Sequence, residues 1–383
     1  MTGPHFKQLR RAYGFDDVAI VPGDVTINPD QTDVSLTIGN IKLDIPILAS
    51  AMDGVTDVNM AIAMSKNGGL AVLNLEGVQT RYEDPDKVLD QIASCPQAEV
   101  TALLQKLYQE PIKEDLVKER VCQIKATGAV CAVSVAPANT KRLAPIVEEA
   151  GADILVVAST VTSARHISKS TRGLIFEELC ESMSIPVVVG NCVSYSACLS
   201  LIRTGVSAVL IGVGPGAACT SRSVLGIGVP QITATIDCAA ARDTYYEETG
   251  RYVPIITDGG FHRGGEISKA IAAGADGVML GSIFAQAQGA PGRGYHWGMA
   301  NPHPALPRGT RIKVGTTGTL EQILYGPSSL TDGTQNLVGA LQNTMGLCGA
   351  ANISEMHQAE MVIAPSIITE GKVWQFAQGQ VKK

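Results

Sequence analysis

The stretch IITDGGFHRGGEISKAIAAGADGVMLGS, residues 255–282, contains the repeating unit of the whole chain. An apolar run ends in Asp258 and meets two glycines. An amphipathic segment follows and closes on Gly274, and a second apolar run then meets Gly281 and Ser282. Short runs that are apolar on both faces suit strands of a parallel sheet covered on both sides. A glycine just past the periodic segment suits a helix C-terminus.

Outward from this unit, similar runs recur at PILAS (46–50), LAVL (70–73), VCAVS (130–134), DILVVA (153–158), PVVVG (186–190) and AVLIG (208–212). With PIITD (254–258) and GVMLG (277–281) they make eight, and helix-like segments lie between most of them. Eight strands alternating with helices predict a closed (β/α)8 TIM barrel rather than an open doubly wound sheet. The whole chain, 1–383, reads as one barrel domain. Residues 1–45 are expected to form an N-terminal extension or plug, 80–129 a helical insertion, and 291–335 a long Gly/Pro-rich flap after the eighth strand.

Composition narrows the function. Hydrophobic residues make up 45% and charged residues 17%, which supports a sizeable core and argues against disorder. A net charge of −6 implies no broad basic surface for nucleic acid. No apolar run approaches the roughly 18 residues of a membrane span, and MTGPHFKQLRRAYGFDD lacks the apolar stretch of a signal peptide. A cytoplasmic protein is expected. The nine cysteines are odd in number and show no CxxC spacing, so they read as reduced thiols without a disulfide framework or a zinc site.

Reactive groups of such barrels sit at the C-terminal ends of the strands, with phosphate after strands seven and eight. Asp258-Gly259-Gly260 and Gly281-Ser282 occupy those two places. Glycine amides approach phosphate closely and a carboxylate fits the diol of a ribose, so the pair implies a mononucleotide or FMN. The plainer alternative is that DGG is only a tight turn. GVGPGAACTSR, residues 212–222, follows strand six in the same mouth. Its Cys219 is a candidate nucleophile with Thr220, Ser221 and Arg222 as nearby donors. The carbonyls of Gly214, Gly216 and Cys219 offer an oxygen ring for a monovalent cation.

GVGPGAACTSRSVLGIGVPQ resembles the cysteine loop of the IMP dehydrogenase/GMP reductase family. ASAMDGVT, VVVGNCVS, the opening stretch and YHWGMA resemble further family segments, in order, from GFDDVAIVP near residue 14 to about residue 300. The resemblance implies a purine mononucleotide substrate, a thioimidate between Cys219 and purine C2, hydride exchange with a nicotinamide cofactor, a K+ site and a homotetramer or octamer. It assigns Asp258 to the ribose, Gly260, Gly281 and Ser282 to the phosphate, and Ser50, Met52 and Asn191 to the nucleotide border. Met299 and Ala300 would offer backbone groups to the base, and Ser221 stands at the family's catalytic threonine.

Departures from the family pattern choose among reactions. No CBS regulatory domain interrupts the barrel, as is usual for GMP reductases. The flap NPHPALPRGTRIKVGTTGTLEQILYGP has Arg308 and Arg311 but lacks the adjacent Arg-Tyr pair with which IMP dehydrogenases activate water. Thr317 aligns with the family's flap glutamate, leaving Glu321, four residues on, as the candidate relay to Ser221. Ala217-Ala218 replaces a phosphate-touching serine, and Ala158 replaces the cofactor-ribose aspartate. In the loop after strand four, Ser159, Arg165 and His166 are the candidate cofactor contacts; Arg165 and His166 would suit the extra phosphate of NADPH, or form a solvated surface pair. His296 and His303 are candidates to shape the flap. The expectation is an NADPH-dependent GMP reductase. The alternatives are an NAD-dependent IMP dehydrogenase and a non-catalytic purine-nucleotide regulator.

Overall fold

The computed structural model describes residues 7–167, 173–299, 310–364 and 371–377. Eight parallel strands close into a barrel: β1 (Ile47–Ala49), β2 (Leu70–Asn74), β3 (Ala132–Val135), β4 (Ile154–Ala158), β5 (Val187–Cys192), β6 (Ala208–Ile211), β7 (Ile255–Asp258) and β8 (Gly277–Leu280). Each expected run is a strand. Closure comes from β8 against β1, with Val278, Met279 and Leu280 opposite Ile47, Leu48 and Ala49. This is a (β/α)8 TIM barrel.

Alternation along each strand builds two cores. Leu48, Val72, Val156, Leu210, Ile256 and Met279 pack inside the barrel, where side chains fill the lumen. Their neighbours, among them Ile47, Leu73, Leu155, Val209 and Ile255, face the surrounding helices. That two-sided burial is why these strands read as continuous apolar runs. Below the barrel, Leu36–Ile38 and Ile41–Leu43 form an antiparallel hairpin, and Leu36, Ile38 and Leu43 join the interior cluster. Val18–Ile20 pairs antiparallel with Met361–Ile363, tying the N-terminal extension to a late segment.

The outer helices include α1 (Val58–Lys66), α2 (Pro85–Ser94), α3 (Val100–Leu107), α4 (Glu114–Lys125), α5 (Pro137–Glu149), α6 (Phe176–Ser182) and α7 (Tyr195–Ile202). They continue with α8 (Ser221–Leu225), α9 (Gln231–Thr249), α10 (Gly264–Ala272), α11 (Ser282–Ala285), α12 (Leu320–Tyr325) and α13 (Leu337–Cys348). Gly250, at φ +72°, ends α9 in the left-handed conformation that glycine adopts without strain. Within 80–129, α4 packs between α1 and α5 as a barrel helix, whereas α2 and α3 build a separate small core.

That small core reaches the flap. Tyr295–Trp297 pairs antiparallel with Arg311–Lys313, and the buried Trp297 packs among Val88, Leu89, Ile92 and Leu104. Trp297 Nε1 donates to the Tyr108 hydroxyl at 2.8 Å, and that hydroxyl donates to Asp53 Oδ2 at 2.6 Å. Asp53 Oδ2 also accepts the Val78 amide at 2.8 Å. Barrel loop, insertion and flap therefore share one buried polar chain, which cannot lose a member cheaply. Tyr108→Phe is expected to cost about 1–3 kcal/mol by stranding Trp297 Nε1, read as faster amide exchange across α2 and α3. Unchanged exchange would show that the hydroxyl is dispensable.

Candidate active site

Parallel strands place all their C-terminal ends at one mouth, so Ser50, Asn191, the 212–222 loop, Asp258 and Gly281 converge there. At its base Asn191 Nδ2 donates to Asp258 Oδ2 at 2.8 Å. Asn191 is itself fixed by its amide on the Ser159 carbonyl (3.1 Å) and its carbonyl on the Thr162 amide (2.8 Å). Burial raises the Asp258 carboxyl to about 6, against the lowering effect of Asn191. The residue keeps a partly exposed edge toward the mouth.

The turn after β7 uses two glycines with positive φ, Gly259 at +81° and Gly260 at +88°. A Cβ on Gly259 or Gly260 would lie 3.3 or 3.2 Å from the Pro215 ring. The Asp258 turn thus rests directly on the cysteine loop. Gln231 locks the two together: its Nε2 donates to the carbonyls of Asp258 (2.8 Å) and Gly259 (3.2 Å). Gln231 is buried, and among the described residues its Oε1 has no hydrogen-bond partner. Sequence reasoning passed over this residue. Its one signal was a polar side chain straight after Pro230, which reads equally well as an ordinary helix start.

Cys219 is half-buried, and its Sγ lies 3.3 Å from the Ser221 hydroxyl. Ser221 is buried in the first turn of α8. The two residues proposed for catalysis on this loop therefore meet. Arg222 does not join them. Its guanidinium donates to the Val213 carbonyl (3.3 Å) and the Val229 carbonyl (2.8 Å), closing the base of the loop. Gly214 (φ +70°) and Gly228 (φ +154°) are bare because a Cβ on either would lie 2.8 Å from Arg222 Cγ. The expectation that Arg222 donates to the thiol is thus corrected: the arginine is a clip. Gly216 turns its carbonyl onto the Cys219 amide at 3.0 Å, leaving one lone pair for a cation.

Across the mouth, a side chain on Gly281 would press within 3.1 Å of Ser50 Oγ and 3.2 Å of Met52 Sδ, so glycine lets these loops close. The Ser50 hydroxyl is buried and has no hydrogen-bond partner among the described residues. Ser282 Oγ lies 2.9 Å from His296 Nε2. Burial lowers the His296 imidazole to about 4, so it is neutral at pH 7, and its Nδ1 has no partner among the described residues. Ser50, Gln231 and His296 thus each carry a buried polar atom that the described residues leave unsatisfied.

A family model described as the IMP dehydrogenase/GMP reductase domain matches residues 12–300. The chain belongs to this family. A crystal structure of an IMP dehydrogenase/GMP reductase-like protein from Corynebacterium glutamicum superposes with a TM-score of 0.88 at 35% identity, covering 95% of this chain and 97% of that one. An uncharacterized oxidoreductase of Mycolicibacterium smegmatis is 36% identical over 93% of this chain and 98% of its own length. The inosine-5'-monophosphate dehydrogenase of Methanocaldococcus jannaschii is 29% identical, with 94% of each chain covered. That alignment runs over 476 positions against 383 residues here, so the relative carries inserted residues that this chain lacks.

The remaining family positions are less gathered. Met299 borders the small core, with its Sδ 3.5 Å from the Tyr108 hydroxyl. Ala300, His303 and Arg308 lie outside the described residues. Ser159 Oγ is taken by the Val161 carbonyl and Thr162 Oγ1, both at 2.9 Å, while Arg165 and His166 are exposed. Glu321 is exposed in the first turn of α12, and among the described residues no hydrogen bond joins it to Cys219 or Ser221. Thr317 is held by its backbone, its amide on the Gln286 carbonyl and its own carbonyl on Gln335 Nε2. Arg311 is buried, donates to the carbonyls of Ile92 and Ala93, and lies over the Tyr295 ring.

Because the Asp258 carboxyl binds its proton more tightly folded (about 6) than at the ordinary 3.8, its contribution to stability is full below about pH 4. It is lost as pH rises through about 6. Asp258→Asn should therefore stabilise the protein above pH 6 by about 1–3 kcal/mol, the lower end reflecting the exposed edge, and leave it unchanged below pH 4. Equal unfolding midpoints of variant and parent at pH 8 would show that the carboxylate is not strained there.

Proposed function

We propose that this protein is a purine-nucleotide oxidoreductase acting through a covalent bond between Cys219 and purine C2, and that it runs as an NADPH-dependent GMP reductase. The observation that carries the covalent reading is the Cys219–Ser221 contact of 3.3 Å, held beside the Asp258 turn by Pro215 and Gln231. Asp258 would accept the ribose hydroxyls. Gly260, Gly281 and Ser282 would take the phosphate, and Ser50, Met52 and Asn191 would line the nucleotide. The unpartnered Ser50 hydroxyl supports this assignment.

In the reductive direction, GMP, NADPH and two protons give IMP, NADP+ and an ammonium ion. The Cys219 sulfur bonds to C2 as the amino group leaves, and Ser221 passes a proton to the departing nitrogen. NADPH, when bound, would supply a hydride to C2, and the Cys219 sulfur would be released as its bond to C2 breaks. Exposed Arg165 and His166 fit the extra phosphate of that cofactor, whereas the Ser159 hydroxyl is already engaged within its own loop. A K+ ion would take carbonyls of Gly214, Gly216 and Cys219. A homotetramer or octamer in the cytoplasm completes the reading; no helix among the described residues is long and apolar enough to cross a membrane.

Direction rests on the flap. Hydrolysis to XMP needs a base within reach of water; Arg311 is committed to the insertion, and the flap sequence 301–327 holds no adjacent Arg-Tyr pair. A second reading, oxidation of IMP with NAD, is favoured by relatives of named activity, among them the inosine-5'-monophosphate dehydrogenases of M. jannaschii and Cryptosporidium parvum. Absorbance at the nicotinamide band decides: GMP with NADPH should turn over at least roughly tenfold faster than IMP with NAD. XMP formed faster from IMP would reverse the direction, and turnover of neither with binding intact would leave a regulator.

Cys219→Ala should abolish turnover while nucleotide affinity stays within about tenfold, because phosphate and ribose contacts supply ground-state binding. More than a few per cent of residual activity would rule out the thioimidate.

A further inference from the structure

Three of the nine cysteines converge although nothing in their spacing joins them. Cys192 ends β5, Cys198 lies in α7 and Cys238 in α9; their sulfurs are all within 4.8 Å of one another and all three side chains are buried. The sequence reading of isolated reduced thiols missed this because the three elements meet only after the barrel closes. Two carbonyls also face the cluster. Cys238 Sγ lies 3.9 Å from the Ser194 carbonyl oxygen and Cys198 Sγ lies 3.8 Å from that of Cys238.

We propose that Cys192, Cys198 and Cys238 form a three-thiolate site for a zinc-class d10 metal ion, with the Ser194 carbonyl completing a tetrahedron. Zinc–sulfur bonds of about 2.3 Å and zinc–oxygen bonds of about 2.1 Å imply edges of about 3.8 Å between sulfurs and about 3.6 Å between sulfur and oxygen. Against those edges, the three sulfurs lie within 4.8 Å of one another and the Ser194 oxygen lies 3.9 Å from Cys238 Sγ. Soft thiolates select such ions over calcium or magnesium.

Loading exchanges three thiol protons for one dication and leaves a net charge of −1 at the site. The buried Arg242 lies one turn beyond Cys238 in α9. It is also paired with Asp243 and Asp276. The ion would staple β5 to α7 and α9. Asn191 precedes Cys192 and holds Asp258, and the Cys192 carbonyl accepts the Gly212 amide at 3.0 Å. The staple would therefore brace both the ribose carboxylate and the start of the cysteine loop. Metal binding itself is independent of the proposed reaction.

The test is metal content of the full chain made in zinc-supplemented medium and dialysed against a chelator. About one zinc per chain should remain in the parent and in Cys219→Ala, with roughly tenfold less in Cys198→Ala and Cys238→Ala. Stripping the metal under denaturing conditions should expose three additional reactive thiols. Protein made in cobalt-supplemented medium keeps the proposal testable if those variants fail to fold: thiolate-to-cobalt charge-transfer absorption at three-sulfur intensity is expected. Absent zinc with all thiols free, zinc retained in both alanine variants, or cobalt protein lacking that absorption would each overturn the site and leave three packed core thiols.

Discussion

Pairing of the last barrel strand with the first is the constraint on which the rest depends. When β8 seats beside β1, the lumen closes around Leu48, Ile256 and Met279, and every strand becomes buried on both faces. The same pairing sets the loop bearing Gly281 and Ser282 against Ser50 and Met52, segments more than two hundred residues apart in the chain. A parallel barrel has no free edge, so no strand can slip without breaking two ladders. The precision of the mouth is inherited from that closure.

Bareness in the cysteine loop has a steric origin as well as a chemical one. Gly214 and Gly228 make room for Arg222, Gly212 makes room for the Asp258 carbonyl and Gln231, and the glycines after β7 make room for Pro215. The loop is therefore packed rather than loose, clipped at its base by Arg222 and along its side by Gln231. That packing also holds the Cys219 sulfur 3.3 Å from the Ser221 hydroxyl.

Asp258 and His296 show what the site costs the fold. Burial pushes the carboxyl up to about 6 and the imidazole down to about 4, each disfavouring the charged form. Buried polar atoms on Ser50, Gln231 and His296 lack partners among the described residues as well. Such groups lower stability where they stand, and the apolar double wall of the barrel offsets them. The insertion adds its own brace, since the Trp297–Tyr108–Asp53 chain ties the flap to the loop after β1.

The sequence by itself determined the eight strands, the barrel and the placing of Asp258, Gly281, Ser282 and Cys219 at strand ends, because two-sided burial and tight turns are local demands written in consecutive residues. It also marked Ser221 as the neighbour of the thiol, two positions away. Tertiary structure alone decided what depends on segments meeting across the chain. It turned Arg222 from a donor at the thiol into a clip, recruited Gln231 to the Asp258 turn, and seated His296 on Ser282. It also gathered Cys192, Cys198 and Cys238 and left Glu321 exposed on α12. Side-chain direction and long-range contact follow from how helices settle on a closed barrel, and no periodicity within one segment encodes them.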